Sequence, residues 1–490
     1  MRETSGGGRR AALGGSLGLG PLAGILLLAG CTVGPKYAKP PAPAPAAYKE
    51  TGNWTAAQPM DQAPRGRWWE LFGDGQLDAL EDKVDVSNQN LKQAQDQYLE
   101  ARDLVHSFRA GYYPVATGGL AASRSHTSNN HAPRGVSNGA TFNDYLLPVD
   151  ASYEPDLWGQ VRRSVEESRA AAQASAAALA SVNLSLHAEL ALDYFQLRGL
   201  DTQEKLLQST VADDQRAREL AESRYKGGLA TAVDVAQAET QLQTTRAQAT
   251  DVEIERAAFE HAVAVLTGVP PAGFSLAATP LQTPPPPIPP GLPSQLLERR
   301  PDIAGAERQM DAANAQIGVA MSAYYPLVNL TGASGFESGA LGTFVSGPSG
   351  LWSAGAAALD TVFEGGRRRA ATAQARAAYD QAVANYRQTV LAAFQQVEDN
   401  LAAQRVLAAE AKTQEAAVAA AQRSLALSLV RYKGGVTSYL EVVTAQSAAL
   451  GDERGAADIL TRRMVAAVLL VKALGGGWDA SQLPAAASLR

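Results

Sequence analysis

The chain has one cysteine, Cys31, in 490 residues, so neither an internal disulfide nor a cysteine-based zinc site can form. Five histidines leave little for metal chemistry. There is no basic excess: 43 Lys and Arg stand against 49 Asp and Glu, a net charge of −6. Nucleic-acid binding needs a basic footprint, so that class is excluded. Mean hydropathy of −0.15 argues against a polytopic helical membrane protein. No Ser-His-Asp grouping, phosphate loop or paired-carboxylate cleft supports an enzyme or a cofactor. Aromatics are scarce at 6%, yet 46% hydrophobic residues suffice for a large core, and alanine abounds. The balance points to long helices.

The N-terminus reads as a targeting segment. Arg2, Arg9 and Arg10 precede an apolar stretch from Leu17 to Ala29 that is too short to anchor in a bilayer. Leu28-Ala29-Gly30-Cys31 is similar to a bacterial lipoprotein signal, in which the cysteine is lipidated and becomes the mature N-terminus. Residues 1–30 are therefore expected to be the signal. Residues 31–66, with Pro40-Pro41-Ala42-Pro43-Ala44-Pro45, are expected to be an extended spacer carrying the lipid away from the folded body.

The rest is written twice. Arg224-Tyr225-Lys226-Gly227-Gly228 recurs as Arg431-Tyr432-Lys433-Gly434-Gly435, and Tyr112-Tyr113-Pro114 as Tyr324-Tyr325-Pro326. Thr231 and Asp234 align with Ser438 and Glu441; beyond them Gln241-Leu242 aligns with Ala449-Leu450 after a one-residue drift. The copies are assigned to 67–275 and 296–476, with a proline-rich linker at 276–295 and a tail at 477–490.

Within the first copy a helix is expected from Gln76 to Gly111, then strands at 114–128 and 141–155. A long helix from Gln160 to Lys226 follows, and a second from Thr231 to Leu266. Val149, Ala151 and Tyr153 alternate with Asp150, Ser152 and Glu154. The second copy has strands at about 326–336 and 351–361. An unbroken helix on the order of 100 Å long matches two shorter ones laid end to end, as a uniform cylinder wall requires. Four strands cannot close a barrel, and a membrane forbids open sheet edges in hydrocarbon. Three chains would supply about twelve strands, within the range of outer-membrane barrels. His126 and His131 are expected near the polar surface tip between the strands, where solvent exposure is favoured over metal binding.

Several stretches resemble one family: Cys31-Thr32-Val33-Gly34-Pro35-Lys36-Tyr37, Trp68-Trp69-Glu70-Leu71-Phe72-Gly73-Asp74, Asp156-Leu157-Trp158-Gly159, Arg300-Pro301-Asp302-Ile303 and Phe363-Glu364-Gly365-Gly366. They are similar to the TolC-like outer-membrane efflux factors, in the NodT-type lipoprotein branch that serves RND-type pumps. The resemblance implies a mainly α chain with a small β-barrel portion. It also implies a homotrimer, in which a 12-stranded β-barrel in the outer membrane is continued by a long α-helical barrel in the periplasm. Its partners would be a periplasmic adaptor, an inner-membrane RND-type pump and outer-membrane lipid. The function implied is passive conduction of drugs or other small toxic compounds. Two readings stand beside it: the exit duct of a type I protein secretion system, and a periplasmic coiled-coil lipoprotein without a pore.

In that family the helix reversals form the periplasmic tip, which docks the adaptor and gates the duct. Arg224, Tyr225, Gly227, Gly228, Arg431, Tyr432, Gly434 and Gly435 are the matching positions. Asp234 and Glu441 have two readings. Thr231-x-x-Asp234 and Ser438-x-x-Glu441 both fit capping boxes. The family instead places acidic residues of the second copy in the duct, where three copies of Glu441 would form a ring that attracts cations. The family's second acidic position is Thr444 here. Arg367, Arg368 and Arg369 start a helix, where the macrodipole disfavours cations. They need lipid phosphate or a carboxylate nearby, unless they form a solvated face.

Overall fold

A computed structural model describes residues 32–41, 45–50, 66–131, 137–289, 291 and 293–489. The expected signal and Cys31 lie outside the described residues. The chain divides into two compact units. One comprises residues 106–167 and 313–379, with Tyr37 and the described residues before it; the other comprises 38–105, 168–312 and 380–490.

The helices and strands follow in chain order. They are α1 (Gly75–Ser87), α2 (Gln89–Ala110), β1 (Val115–Gly118), β2 (Ala121–His126), β3 (Thr141–Tyr153), α3 (Gln160–Lys226) and α4 (Ala232–Leu266). Next come α5 (Pro293–Arg299), which starts within the last three residues assigned to the linker, α6 (Pro301–Ser322), β4 (Leu327–Ser338), β5 (Gly350–Leu359), α7 (Arg367–Lys433) and α8 (Tyr439–Ala473). The first helix is not continuous to Gly111. Asn88 interrupts it, because its Oδ1 accepts from the N–H groups of Asn90 and Leu91 while its Nδ2 donates to the Leu266 carbonyl at 2.8 Å. Both long helices have 67 residues and both helices after the reversals have 35. The two second-copy helices that flank the reversal each start 207 residues after their counterparts, Arg367 after Gln160 and Tyr439 after Ala232, so the one-residue drift is absent there.

The first unit holds one antiparallel sheet. β1 and β2 pair successive stretches of β3, which pairs β4, which pairs β5, so the sheet is four strands wide. Its two outer edges have no partner among the described residues. His126 ends β2, inside the expected strand, with Nδ1 2.7 Å from Thr141 Oγ1 across the pair, and His131 lies beyond it. Cross-strand partners share a face. Val149 pairs with Ser334, Leu147 with Phe336 and Tyr153 with Leu330, while Trp352 pairs with Ser334 and Ala356 with Leu330. That face is largely apolar. The opposite face carries Asp144, Asp150 and Glu337 with Thr331 and Ser353, and Ser152 Oγ donates to Asn329 Oδ1 at 3.1 Å.

The second unit is helical and its core is aliphatic and aromatic. Trp68, Trp69 and Phe72 form a buried 3-10 turn before α1, and Trp69 stacks on His187 at 4.3 Å. His187 is 2% exposed, with Nδ1 2.7 Å from Glu81 and Nε2 3.1 Å from Asp85. The described part of the spacer forms no helix or strand, bends at Gly34 and over 46–50, and docks instead of standing away. In the first unit Val33 N donates to the Trp158 carbonyl, and Arg163 holds the carbonyls of Val33 and Gly34. In the second, the N–H groups of Lys49 and Glu50 donate to the Glu398 carboxylate at 2.7 and 2.9 Å, and Arg405 pairs with Glu50.

Candidate functional site

The two reversals lie in the second unit, where buried Ala217, Ala221, Ala238, Tyr432, Tyr439 and Val442 form one cluster drawn from both copies. Each long helix ends the same way. Gly228 at φ 72° and Gly435 at φ 75° take the left-handed conformation that only glycine adopts at little cost. Leu229 N and Val436 N then return to the carbonyls of Arg224 and Arg431 at 2.8 and 3.0 Å.

Duplicated residues have different roles from there on. Tyr225 is half exposed, whereas Tyr432 is 3% exposed and meets Tyr439 edge-on at 5.2 Å. Arg224 reaches into the other copy: its Nη1 donates to the Lys433 carbonyl at 2.9 Å and its guanidinium lies over the Tyr432 ring. Arg431 stays within its own copy, with Nη1 2.7 Å from Glu441 Oε1.

Asp234 joins the copies. With Thr231 it makes a reciprocal capping box: Oδ2 accepts from Thr231 N at 2.8 Å and from Thr231 Oγ1 at 3.0 Å, and Thr231 Oγ1 accepts from Asp234 N. Its other oxygen accepts from Tyr439 N at 3.2 Å, the first residue of α8. Burial alone would raise the Asp234 pKa. The donors from Thr231 and Tyr439, with Arg224 nearby, outweigh it and hold the carboxyl below its ordinary range.

The second capping box does not form. Ser438 makes no side-chain cap, and Glu441 accepts instead from Thr437 Oγ1 and pairs with Arg431. One carboxylate from the first copy therefore serves two helix starts, and Glu441 is freed to hold Arg431. Tyr439 and Lys433 also belong to this site, through backbone groups that no sequence motif marks. Tyr439 corresponds to Ala232 at the 207-residue offset, so the repeat itself carried no signal for it.

At the other end of α7, Arg368 turns inward onto Asp360 at 3.0 Å and Glu364 at 3.2 Å. Arg367 is 82% exposed by side chain, 3.6 Å from Glu364. The three arginines are thus neither a uniform solvated face nor uniformly paired. Among the described residues no group of three His, Cys, Asp or Glu is placed to hold a metal, and no helix is long and apolar enough to cross a membrane.

The model of the outer membrane efflux protein family matches residues 80–269 and 292–476, one stretch per copy. The chain is 31% identical over 468 residues to outer membrane protein OprJ of Pseudomonas aeruginosa, covering 95% of this chain and 96% of that one. It is 32% identical over 462 residues to the toluene efflux pump outer membrane protein TtgF of Pseudomonas putida, with 92% and 95% covered. The structure of the outer-membrane channel OprN superposes with a TM-score of 0.84 at 30% identity, over 91% of this chain and 100% of that one.

Proposed function

The chain belongs to the outer membrane efflux protein family, and from that premise we propose how its residues make a duct. It is the outer-membrane channel of a tripartite efflux system. The observation that carries the reading is the sheet: four strands wide, apolar on one face, polar on the other, and unpaired at both edges. Such a sheet cannot sit in hydrocarbon alone. Three copies joined edge to edge close twelve strands and leave no edge. The face of Leu147, Val149, Phe336 and Trp352 then meets lipid, and Asp144, Asp150 and Glu337 line the lumen.

The domains follow the reading above: residues 1–30 are the signal, Cys31 carries the lipid, and the two copies flank the proline-rich linker. The hairpins at Gly227-Gly228 and Gly434-Gly435 form the tip that docks a periplasmic adaptor below an RND-type inner-membrane pump. Exposed Tyr225, Leu229 and Val436 offer the adaptor an apolar surface. Asp234, Arg224 and Tyr432 tie the two hairpins of one chain together, so the tip moves as one piece. Glu441 is already paired with Arg431, which weakens it as a cation ring. The duct holds no cofactor and performs no chemistry; the pump supplies the energy. One relative bears the name of a toluene efflux protein, which favours small compounds over polypeptides as cargo.

Two measurements test this. The purified chain should give discrete conductance in planar bilayers once the tip is opened by substitution; silence would reject a duct. A deletion strain should become sensitive to small toxic compounds. Unchanged sensitivity together with the loss of a secreted protein from the medium would reassign the duct to protein export.

A further inference from the structure

Where α6 gives way to β4 and α7 begins, the first unit has a cleft of about 480 Å³. Met321, Tyr324, Tyr325, Arg369, Thr372, Ala373 and Arg376 line it, and none of them is acidic. Arg369 and Arg376 are seven residues apart on α7, so their side chains leave one face of the helix about 10 Å apart along its axis. Both are exposed, and among the described residues neither has a carboxylate within ion-pair distance. Arg368, the residue before Arg369, is instead held by Asp360 and Glu364. Tyr324 and Tyr325 are 45% and 42% exposed, and Trp158 stacks on Tyr325 at 4.8 Å.

The cleft also has an address. Tyr325 stands two residues before β4, and α7 starts eight residues after the end of β5. Between β5 and α7, Val362 and Phe363 are 98% and 88% exposed. If the apolar face of the sheet meets hydrocarbon, these residues occupy the next layer outward, where headgroups lie and where aromatic rings and arginines are enriched. A cavity with two uncompensated guanidiniums, two phenol hydroxyls and an apolar floor suits an anion that carries acyl chains.

We propose that this cleft binds the phosphate of an anionic phospholipid, with Arg369 and Arg376 on the phosphate and the Val362-Phe363 turn among the first acyl carbons. The inference rests on the sheet being membrane-embedded. It adds a lipid site that fixes the depth at which the strands hand over to the helices.

The experiment uses the full-length chain purified in detergent and native mass spectrometry. The probes are dioleoyl phosphatidylglycerol, dioleoyl phosphatidylcholine and inorganic phosphate. The wild-type chain should retain phosphatidylglycerol over phosphatidylcholine by about thirtyfold, the sum expected of two arginines near an anionic surface. The Arg369→Gln/Arg376→Gln variant should lose that preference, and Arg369→Lys/Arg376→Lys should keep most of it. Equal retention of both lipids by the wild type would overturn the proposal without any variant. So would displacement of phosphatidylglycerol by millimolar inorganic phosphate, which would mark a simple anion cleft. A glutamine variant that dissociates into monomers in lipid-free detergent would also overturn it, by showing that the arginines meet carboxylates of a second copy. Conductance of the same preparations is recorded separately, so failure of the duct reading is visible independently of lipid retention.

Discussion

Replacing Asp234 by Ala should loosen the start of α8, a helix of the other copy, as much as the start of α4. The carboxylate accepts from Thr231 N, Thr231 Oγ1 and Tyr439 N, and the residue is 8% exposed. Loss of a helix cap costs about 1 kcal/mol, and hydrogen bonds to a charged group contribute about 1.5–3 kcal/mol each. Water re-solvates part of the exposed turn, so a local loss of about 2 kcal/mol at each helix start is expected. Each 1.4 kcal/mol is a factor of ten in an opening equilibrium, so the Tyr439 amide should exchange its hydrogen roughly 30-fold faster. Hydrogen exchange resolved to the hairpin peptides measures this directly. Ser438→Ala is the control and should leave the Tyr439 amide unchanged, because Ser438 caps nothing. If Ser438→Ala accelerates exchange and Asp234→Ala does not, the shared cap is wrong. The pH dependence has a fixed sign. A carboxyl held below its ordinary range stabilises fully above its unfolded pKa of about 3.9 and loses that contribution as pH falls through the lower folded value. Tip exchange should therefore be flat with pH, beyond the intrinsic chemistry, until the solution is more acidic than about pH 4.

Tyr432→Ala should destabilise the hairpin by about 3 kcal/mol, since a buried aromatic is lost, whereas Tyr225→Ala should stay within about 0.5 kcal/mol; thermal unfolding of the two variants compares them. Neutralising the three sheet acids together (Asp144→Asn, Asp150→Asn, Glu337→Gln) should lower cation preference in reversal-potential measurements, and Glu441→Gln should change it little. The opposite ranking would return selectivity to the tip. Burial pushes the Glu81 carboxyl up to about 7. Burial lowers the His187 pKa, but the Glu81 hydrogen bond outweighs that and leaves it above its ordinary value. Both folded values exceed the unfolded ones, so their stabilisation is complete in acid and fades as pH rises through about 7. The melting temperature should fall from pH 6 to pH 8, and Glu81→Gln should flatten that slope.

The duplication was legible because Arg-Tyr-Lys-Gly-Gly is written out twice at fixed spacing. The faces of β3 were legible in the alternation of Val149, Ala151 and Tyr153 with Asp150, Ser152 and Glu154. What escaped depends on partners far away along the chain. Asn88 breaks the first helix through the carbonyl of Leu266, and no local pattern announces that. Ser438 has the spacing of a capping box, but Glu441 is drawn to Arg431 and Thr437, and Asp234 from the other copy takes the first N–H of the helix, that of Tyr439. The spacer composition predicts an extended chain and says nothing of Glu398, whose carboxylate pins it. The expected strand at 114–128 contains β1 and β2, and pairing with β3 carries its second part through Ser123, Arg124 and Ser125, which lack the β-branched and aromatic residues that mark a strand.

The matched rods, 67 with 67 and 35 with 35, restrict where this gene can accept extra codons. One residue added to a single rod would rotate everything beyond it by about 100° relative to its twin. An epitope tag there would need a matching insertion 207 positions away. The turns joining β2 to β3 and β4 to β5 correspond in the two copies yet already differ in length, so neither must stay in step with the other and they are the natural places for a tag or a grafted antigen.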